Sequence, residues 1–383
     1  MDKSDSLMNI INVNPKQVIR QTAEALVSSK SKIRRVPGVV GFDGFVDHII
    51  HVVDKRKSAT DYQPIKKIKD FAKRVNDAAG KSANMEMVTV QTRLGGNGPI
   101  MANALVSFSM PVTYIGLLGS TPDLHPMFRE FAKRAKVISI ADPSETDALE
   151  FEDGKLMMGK HGTLHQLTWA NILKKIPANQ LVKAFSDAKF IAMVNWTMLP
   201  HMGDIWKQLL KDVGPAMKGE KRVMFFDLAD PAKRTADDLK GALAQITKFQ
   251  QYFNVVLGLN EKESEQVAEV LGVKASGKKQ ALIVDRAIKI REKLGIHVCV
   301  IHPVQFAAAA SEADALYVDG PFTAKPKTTT GAGDNFNAGF SLGFVNGFGL
   351  ARSLQLGVAT SGFYVRNAKS PTVDELIKFL QTL

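Results

Sequence analysis

Thr328-Thr329-Thr330-Gly331-Ala332-Gly333-Asp334 runs directly into a helix-period segment, Asn335-Phe336-Asn337-Ala338-Gly339-Phe340. Small residues at this junction let the backbone N–H groups of Gly331, Ala332 and Gly333 converge at a helix N-terminus. Unpaired donors and the helix dipole stabilise an anion there. Asp334 falls where those donors point. A carboxylate beside a phosphate-sized anion hole is costly unless it has work to do, and the natural work is to accept the proton of a hydroxyl attacking a phosphoryl group. A dinucleotide fingerprint is excluded, because Phe336 takes the third glycine position and no acid follows before Asp374. Spacing alone also allows a capped helix with Asp334 as its N-terminal acid.

Three further stretches carry polar groups suited to the same reaction. Gly95-Gly96-Asn97-Gly98-Pro99 lies between an alternating strand and a helix; paired glycines let backbone approach a ligand, and Asn97 adds an amide. Taken alone it is equally an ordinary tight turn. Gly41-Phe42-Asp43-Gly44-Phe45-Val46-Asp47-His48 ends the first strand-like run with two carboxylates, where open parallel sheets bind ligands. Such a carboxylate can accept hydrogen bonds from two sugar hydroxyls. Asn260-Glu261-Lys262-Glu263 follows another strand and starts a helix, which also suits a simple capping motif. Gly272 to Lys279 is one residue from a Walker phosphate loop. Lys279 offers no hydroxyl to magnesium, and the run follows a helix instead of a strand, so that reading fails. His161 and His165, on a loop or hairpin edge, make a poor zinc pair. Cys299, in an apolar run, reads as a small buried hydrophobe.

These residues need elements to position them. Strand-like runs at 36–42, 87–93, 112–118, 136–140, 190–195, 222–228, 255–259, 297–301 and 315–318 alternate with helix-period segments at 98–108, 124–135, 202–213, 235–249, 261–271 and 279–294. Three more helices are predicted after residue 330. This alternation predicts an α/β fold with a largely parallel sheet covered on both faces. Asp153-Gly154 between short extended runs in 146–165 predicts a hairpin, either a lid over the site or a surface excursion. Residues 1–35 read as an N-terminal extension with a short helix near 15–28, and 36–383 as one domain.

Composition narrows the classes. At 383 residues, 45% hydrophobic and 23% charged, the chain is an ordinary globular protein, and its apolar runs are too short for a membrane span. The opening residues carry early acids and no long apolar stretch, so no secretory signal and a cytoplasmic location are expected. Of the net charge of +12, segments 16–35 and 55–81 carry +5 and +6. The second reads as an amphipathic helix with Ile65, Ile68, Phe71, Val75 and Ala78 on one face and lysines on the solvated face. Few aromatics interleave with the bases, so nucleic acid is not the expected partner.

Together these motifs resemble the ribokinase/PfkB family of carbohydrate kinases, over roughly residues 36–372. The most specific element is Thr329-Thr330-Gly331-Ala332-Gly333-Asp334 with Phe336 and Ala338-Gly339-Phe340. The resemblance implies a ribokinase-like α/β fold, a central mostly parallel sheet flanked by helices, with a small β lid near 45–60, 87–94 and 146–165. It implies ATP-dependent, Mg2+-assisted phosphoryl transfer to a hydroxyl of a sugar or sugar-like molecule. Asp334 would be the catalytic base and Gly331, Ala332 and Gly333 the anion hole. Asp47, Gly95, Gly96 and Asn97 would bind the acceptor, Asn260 and Thr330 the nucleotide, and Glu263 the metal through water. A homodimer through the lid is implied by analogy. Thr328, Ile100 and His302-Pro303 depart from the family pattern. They bear on the monovalent cation site, on one substrate contact and on the nucleotide turn. A nucleoside or sugar-phosphate kinase and a non-catalytic binding protein of the same fold are the alternatives.

Overall fold

The computed structural model describes residues 14–120 and 123–383, so the first part of the expected N-terminal extension lies outside the described residues. Among the described residues fourteen strands form two sheets: β1 (Gly38–Phe42), β2 (Phe45–Arg56), β3 (Tyr62–Pro64), β4 (Met87–Gly95), β5 (Val112–Gly116), β6 (Lys136–Ser139), β7 (Ser144–Phe151), β8 (Gly154–Lys160), β9 (Phe190–Met193), β10 (Arg222–Asp227), β11 (Phe253–Leu259), β12 (Val298–Ile301), β13 (Phe306–Ala310) and β14 (Ala315–Asp319). The large sheet runs β14-β13-β12-β11-β10-β9-β1-β5-β6. It is parallel from β12 to β6, with Val39 opposite Thr113 and Phe226 opposite Leu257.

Its central strands are apolar on both faces because helices cover both. On one side Phe226, Leu257 and Cys299 pack with helices Ala236–Phe249, Glu261–Leu271 and Gln280–Leu294. On the other, Val40, Phe225 and Val300 pack with helices Asn97–Ser107, Ala332–Val345 and Leu350–Asn367. Helix Pro15–Ile33 joins this second layer through Ala23, Leu26 and Ile33. Asn14 caps it, accepting the Gln17 N–H at 3.3 Å. Among the described residues no helix is long and apolar enough to cross a membrane.

The second sheet is a lid built on β2. Its first half pairs with β4 on one edge and β7 on the other; β3 takes up the distal half, and β8 closes on β7. Glu152 and Asp153 form the two-residue turn of the β7–β8 hairpin. Asp153 also accepts the Ile68 N–H at 3.0 Å and so anchors helix Ile68–Asp77.

Several expectations need correcting. The 55–81 helix is shorter: Ile65 is buried in extended chain, and Val75, expected on the covered face, is 48% exposed. Of that face only Ile65 and Phe71 join the small cluster of Ile50, Val52 and Leu149. The 124–135 helix is a 3-10 turn at Pro126–Phe128 and a single α turn at Arg129–Ala132, because β6 begins at Lys136. Segment 202–213 widens to a π turn after Gln208. Strand β13 was unforeseen, since its run of alanines favours helix; burial between β12 and β14 overrides that propensity.

Candidate active site

Segments far apart in the sequence meet at Asp334. Its carboxylate is buried in the first turn of helix Ala332–Val345 and accepts the Asn97 Nδ2–H at 2.9 Å. Burial raises its proton affinity well above that of an ordinary aspartate. The charges of Asp227, Asp43 and Glu263 add to the rise, and Asn97 opposes it. Gly331 starts the helix at φ +87°, a left-handed geometry that favours glycine. The Ala332 N–H is engaged by the Thr329 carbonyl at 3.1 Å. The N–H groups of Gly331 and Gly333 have no protein partner among the described residues.

Glycine chemistry explains the turn that delivers Asn97. Gly96 adopts φ +93°, and a Cβ on Gly95 would lie 2.6 Å from Asp47 Cγ. Asp43 holds this turn from beneath, accepting the N–H groups of Asn97 and Gly98 at 2.9 and 2.8 Å and the Asn195 amide at 2.7 Å. Burial raises its pKa to about 6 against those hydrogen bonds. Asp43 is thus structural, while Asp47 faces a cavity.

That cavity, of about 30 Å³, is bordered by Asp47, Arg93, Lys155, Ile100, Thr330 and Tyr364 among others. The pairing register places Arg93 and Thr146 on either side of Asp47 across three strands. Burial pushes the Asp47 pKa up, and the Thr146 hydroxyl, Lys155 and Arg93 pull it down. A second cavity, of about 360 Å³, also reaches the glycine turn. Pro303, Phe306, Pro321, Phe322 and Phe336 give it an apolar wall; Asn260, Thr329, Ala332 and Gly333 border it too. The imidazole of His302 packs on the Phe336 ring with centroids 4.6 Å apart, and burial lowers its pKa to about 4. Thr330, expected on the nucleotide side, borders the smaller cavity, and Thr329 borders the larger one.

Asn260 and Glu263 form a reciprocal capping box: each backbone N–H meets the other's side chain, at 2.8 and 2.9 Å. Glu263 does more than cap, because its other oxygen accepts the Asp230 N–H at 2.8 Å and its carboxylate is buried. Asp227, at the carboxyl end of β10, accepts the Asn337 amide at 2.7 Å and the Ala229 N–H at 2.8 Å. Burial raises the proton affinity of both acids; the charge of Asp43 adds to the rise at Asp227, and the charge of Asp227 to the rise at Glu263. No lysine or arginine pairs with Asp227, Glu263 or Asp334 among the described residues. Among the described residues no group of three or more acids, histidines or cysteines is placed to hold a metal ion directly; Mg2+ takes one or two carboxylates and otherwise keeps water and phosphate oxygens. Sequence motifs do not mark Asp227, Arg93, Lys155 or Tyr364. Only Asp227 carried a signal, an acid ending an apolar run.

The architecture matches proteins of known structure. A ribokinase from Thermotoga maritima aligns over 90% of this chain and 99% of its own, with 16% identity and a TM-score of 0.60. A ribokinase from Arabidopsis thaliana, solved with ribose and ATP, covers 91% and 99%, with 16% identity and a TM-score of 0.61. At such identity the likeness speaks to the fold alone, which is ribokinase-like. Sequence goes further. A ketohexokinase from Haloferax volcanii is 31% identical over 343 residues, spanning 88% of this chain and 89% of the relative. The protein is a carbohydrate kinase of the ribokinase/PfkB class. The family model described as prokaryotic ketohexokinase matches residues 16–383, and the chain belongs to that family.

Proposed function

We propose that the protein transfers the γ-phosphoryl group of ATP to a hydroxyl of a ketohexose. The observation that carries this reading is the position of Thr329–Gly333. Thr330 borders the smaller cavity and Thr329, Ala332 and Gly333 the larger one, so a hydroxyl held in the first meets a phosphate held in the second across this turn. Asp334 takes the proton of the attacking hydroxyl as the new P–O bond forms. Asn97 orients that carboxylate, and Asp47 accepts hydrogen bonds from the sugar and sets it in line. Gly331 and Gly333 stabilise charge on the transferred group. The apolar wall of the larger cavity receives the base of the nucleotide. Glu263 through water, together with Asn260, would hold Mg2+, which when bound supplies positive charge against the phosphate oxygens. Lid strands β2, β4, β7 and β8 exclude water that would compete as acceptor.

A phosphorylated ketose is a second reading, favoured by Arg93 and Lys155 beside Asp47. A coupled ADP-release assay with ATP and Mg2+ over ketoses, aldoses, ketose phosphates and nucleosides separates the two. Asp334→Ala should lower turnover by at least about a thousandfold while nucleotide binding stays intact. Near-normal turnover in that variant would remove Asp334 as the base.

A further inference from the structure

Tyr364 belongs to helix Leu350–Asn367, remote in sequence from the lid, yet it borders the same cavity as Asp47. Its hydroxyl donates to the Thr330 carbonyl at 2.9 Å. A Cβ on Gly331 would lie 2.9 Å from that hydroxyl and 3.2 Å from Ile100 Cγ2, so the phenol rests directly on the start of the glycine turn. Burial and the charges of Asp334 and Asp47 push its pKa up, while Arg93 and a hydrogen bond with the Thr328 side chain pull it down.

The direction of the Thr330 bond decides what the phenol can do next. Its one proton is committed to a backbone carbonyl, so toward a ligand the oxygen can only accept. A group that accepts only distinguishes a hydroxyl from an ether, a carbonyl or a bare carbon. We propose that Tyr364 is a specificity-determining residue for the acceptor. Its hydroxyl receives a hydrogen bond from the sugar hydroxyl adjacent to the one that Asp334 deprotonates, so the protein selects acceptors with hydroxyls on two neighbouring carbons. The inference rests on the proposed ketose kinase reading. Applied to a ketose, it favours the ring form whenever the neighbouring carbon is the anomeric one, because the hemiketal has a hydroxyl to donate and the open-chain carbonyl has none.

The test compares the wild type and Tyr364→Phe on the ketose and on its deoxy analogue lacking the neighbouring hydroxyl, after phosphorus NMR of the product has identified the phosphorylated position. KM and kcat come from the coupled assay, and dissociation constants from calorimetry with a non-hydrolysable ATP analogue present. Removing the hydroxyl should raise the wild-type KM about tenfold, and Tyr364→Phe should raise KM for the full ketose by about the same factor. The variant should show no further loss on the deoxy analogue, with kcat within about twofold and nucleotide affinity unchanged. Wild-type discrimination retained by Tyr364→Phe, or a fall in kcat alone, would overturn the inference and leave the kinase reading standing. If the variant does not fold, the wild type decides: equal use of ketose and deoxy analogue overturns it. A wild-type protein that turns over no ketose overturns the kinase reading and this inference together.

Discussion

Asp43, in the link between β1 and β2, and Asp47, within β2, stand four residues apart, yet their surroundings give them different work. Asp43 is saturated by backbone and amide donors, whereas Asp47 keeps capacity for a ligand. The difference has a pH signature. Burial raises the Asp43 pKa from 3.8 to about 6, so the folded protein holds that proton more tightly than the unfolded chain. Its contribution to stability is fully present below pH 3.8 and is lost as pH rises through about 6. Asp43→Asn titrates nothing at this position. The stability gap between wild type and variant should therefore narrow, by on the order of 3 kcal/mol, between about pH 4 and about pH 7. Denaturant unfolding across that range checks it. A gap that widens with pH would mean the carboxylate is ionised in the folded protein at all these values.

At the scale of elements, the site depends on how closely β2 and β4 approach. Gly95 pairs with Phe45 at the inner end of β4, and its missing side chain is what lets the Asp47 carboxylate occupy the adjoining space. Gly95→Ala must push either Asp47 or the strand aside. The expected result is a KM for the acceptor raised about tenfold to a hundredfold, since displacements near 1 Å carry such costs at a reacting centre. Nucleotide affinity should be unchanged, because the larger cavity has no residue of β4 in its wall. Steady-state kinetics with each substrate varied in turn measures the split. An equal effect on both substrates would place the damage in the fold and not at the Asp47 carboxylate.

At the scale of the whole molecule, one helical layer carries both Asp334 and the packing of the first described helix. Helix Pro15–Ile33 packs through Leu26 and Ile33 in the layer holding helices Leu350–Asn367 and Val373–Leu380, and neither cavity at the site has one of its residues in the wall. Leu26 is fully buried, so Leu26→Ala should lower the unfolding free energy by about 3 kcal/mol. KM values at a temperature well below the melting point should not move. Thermal unfolding and kinetics on one preparation test both halves. A change in KM would tie this helix to the site through helix Leu350–Asn367, which carries Tyr364.

Much of this was legible in the order of residues. Strand–helix alternation, the Asp153-Gly154 hairpin, the glycine turn before Asp334 and the capping box at Asn260 and Glu263 are local features, set by propensity and by hydrogen bonds within a few residues. What the tertiary structure alone decided is who meets whom. Asn97 reaches Asp334 across 237 positions of sequence, and Asp227 and Asn337 meet across 110. Arg93, Thr146 and Lys155 gather round Asp47 only because β2 sits between β4 and β7. Alanine-rich β13 is a strand for the same reason: pairing partners and burial lie outside the segment that responds to them. The chemistry of the glycine turn could be read from its residues, but the cavities that reach it required the packed sheet, lid and helices.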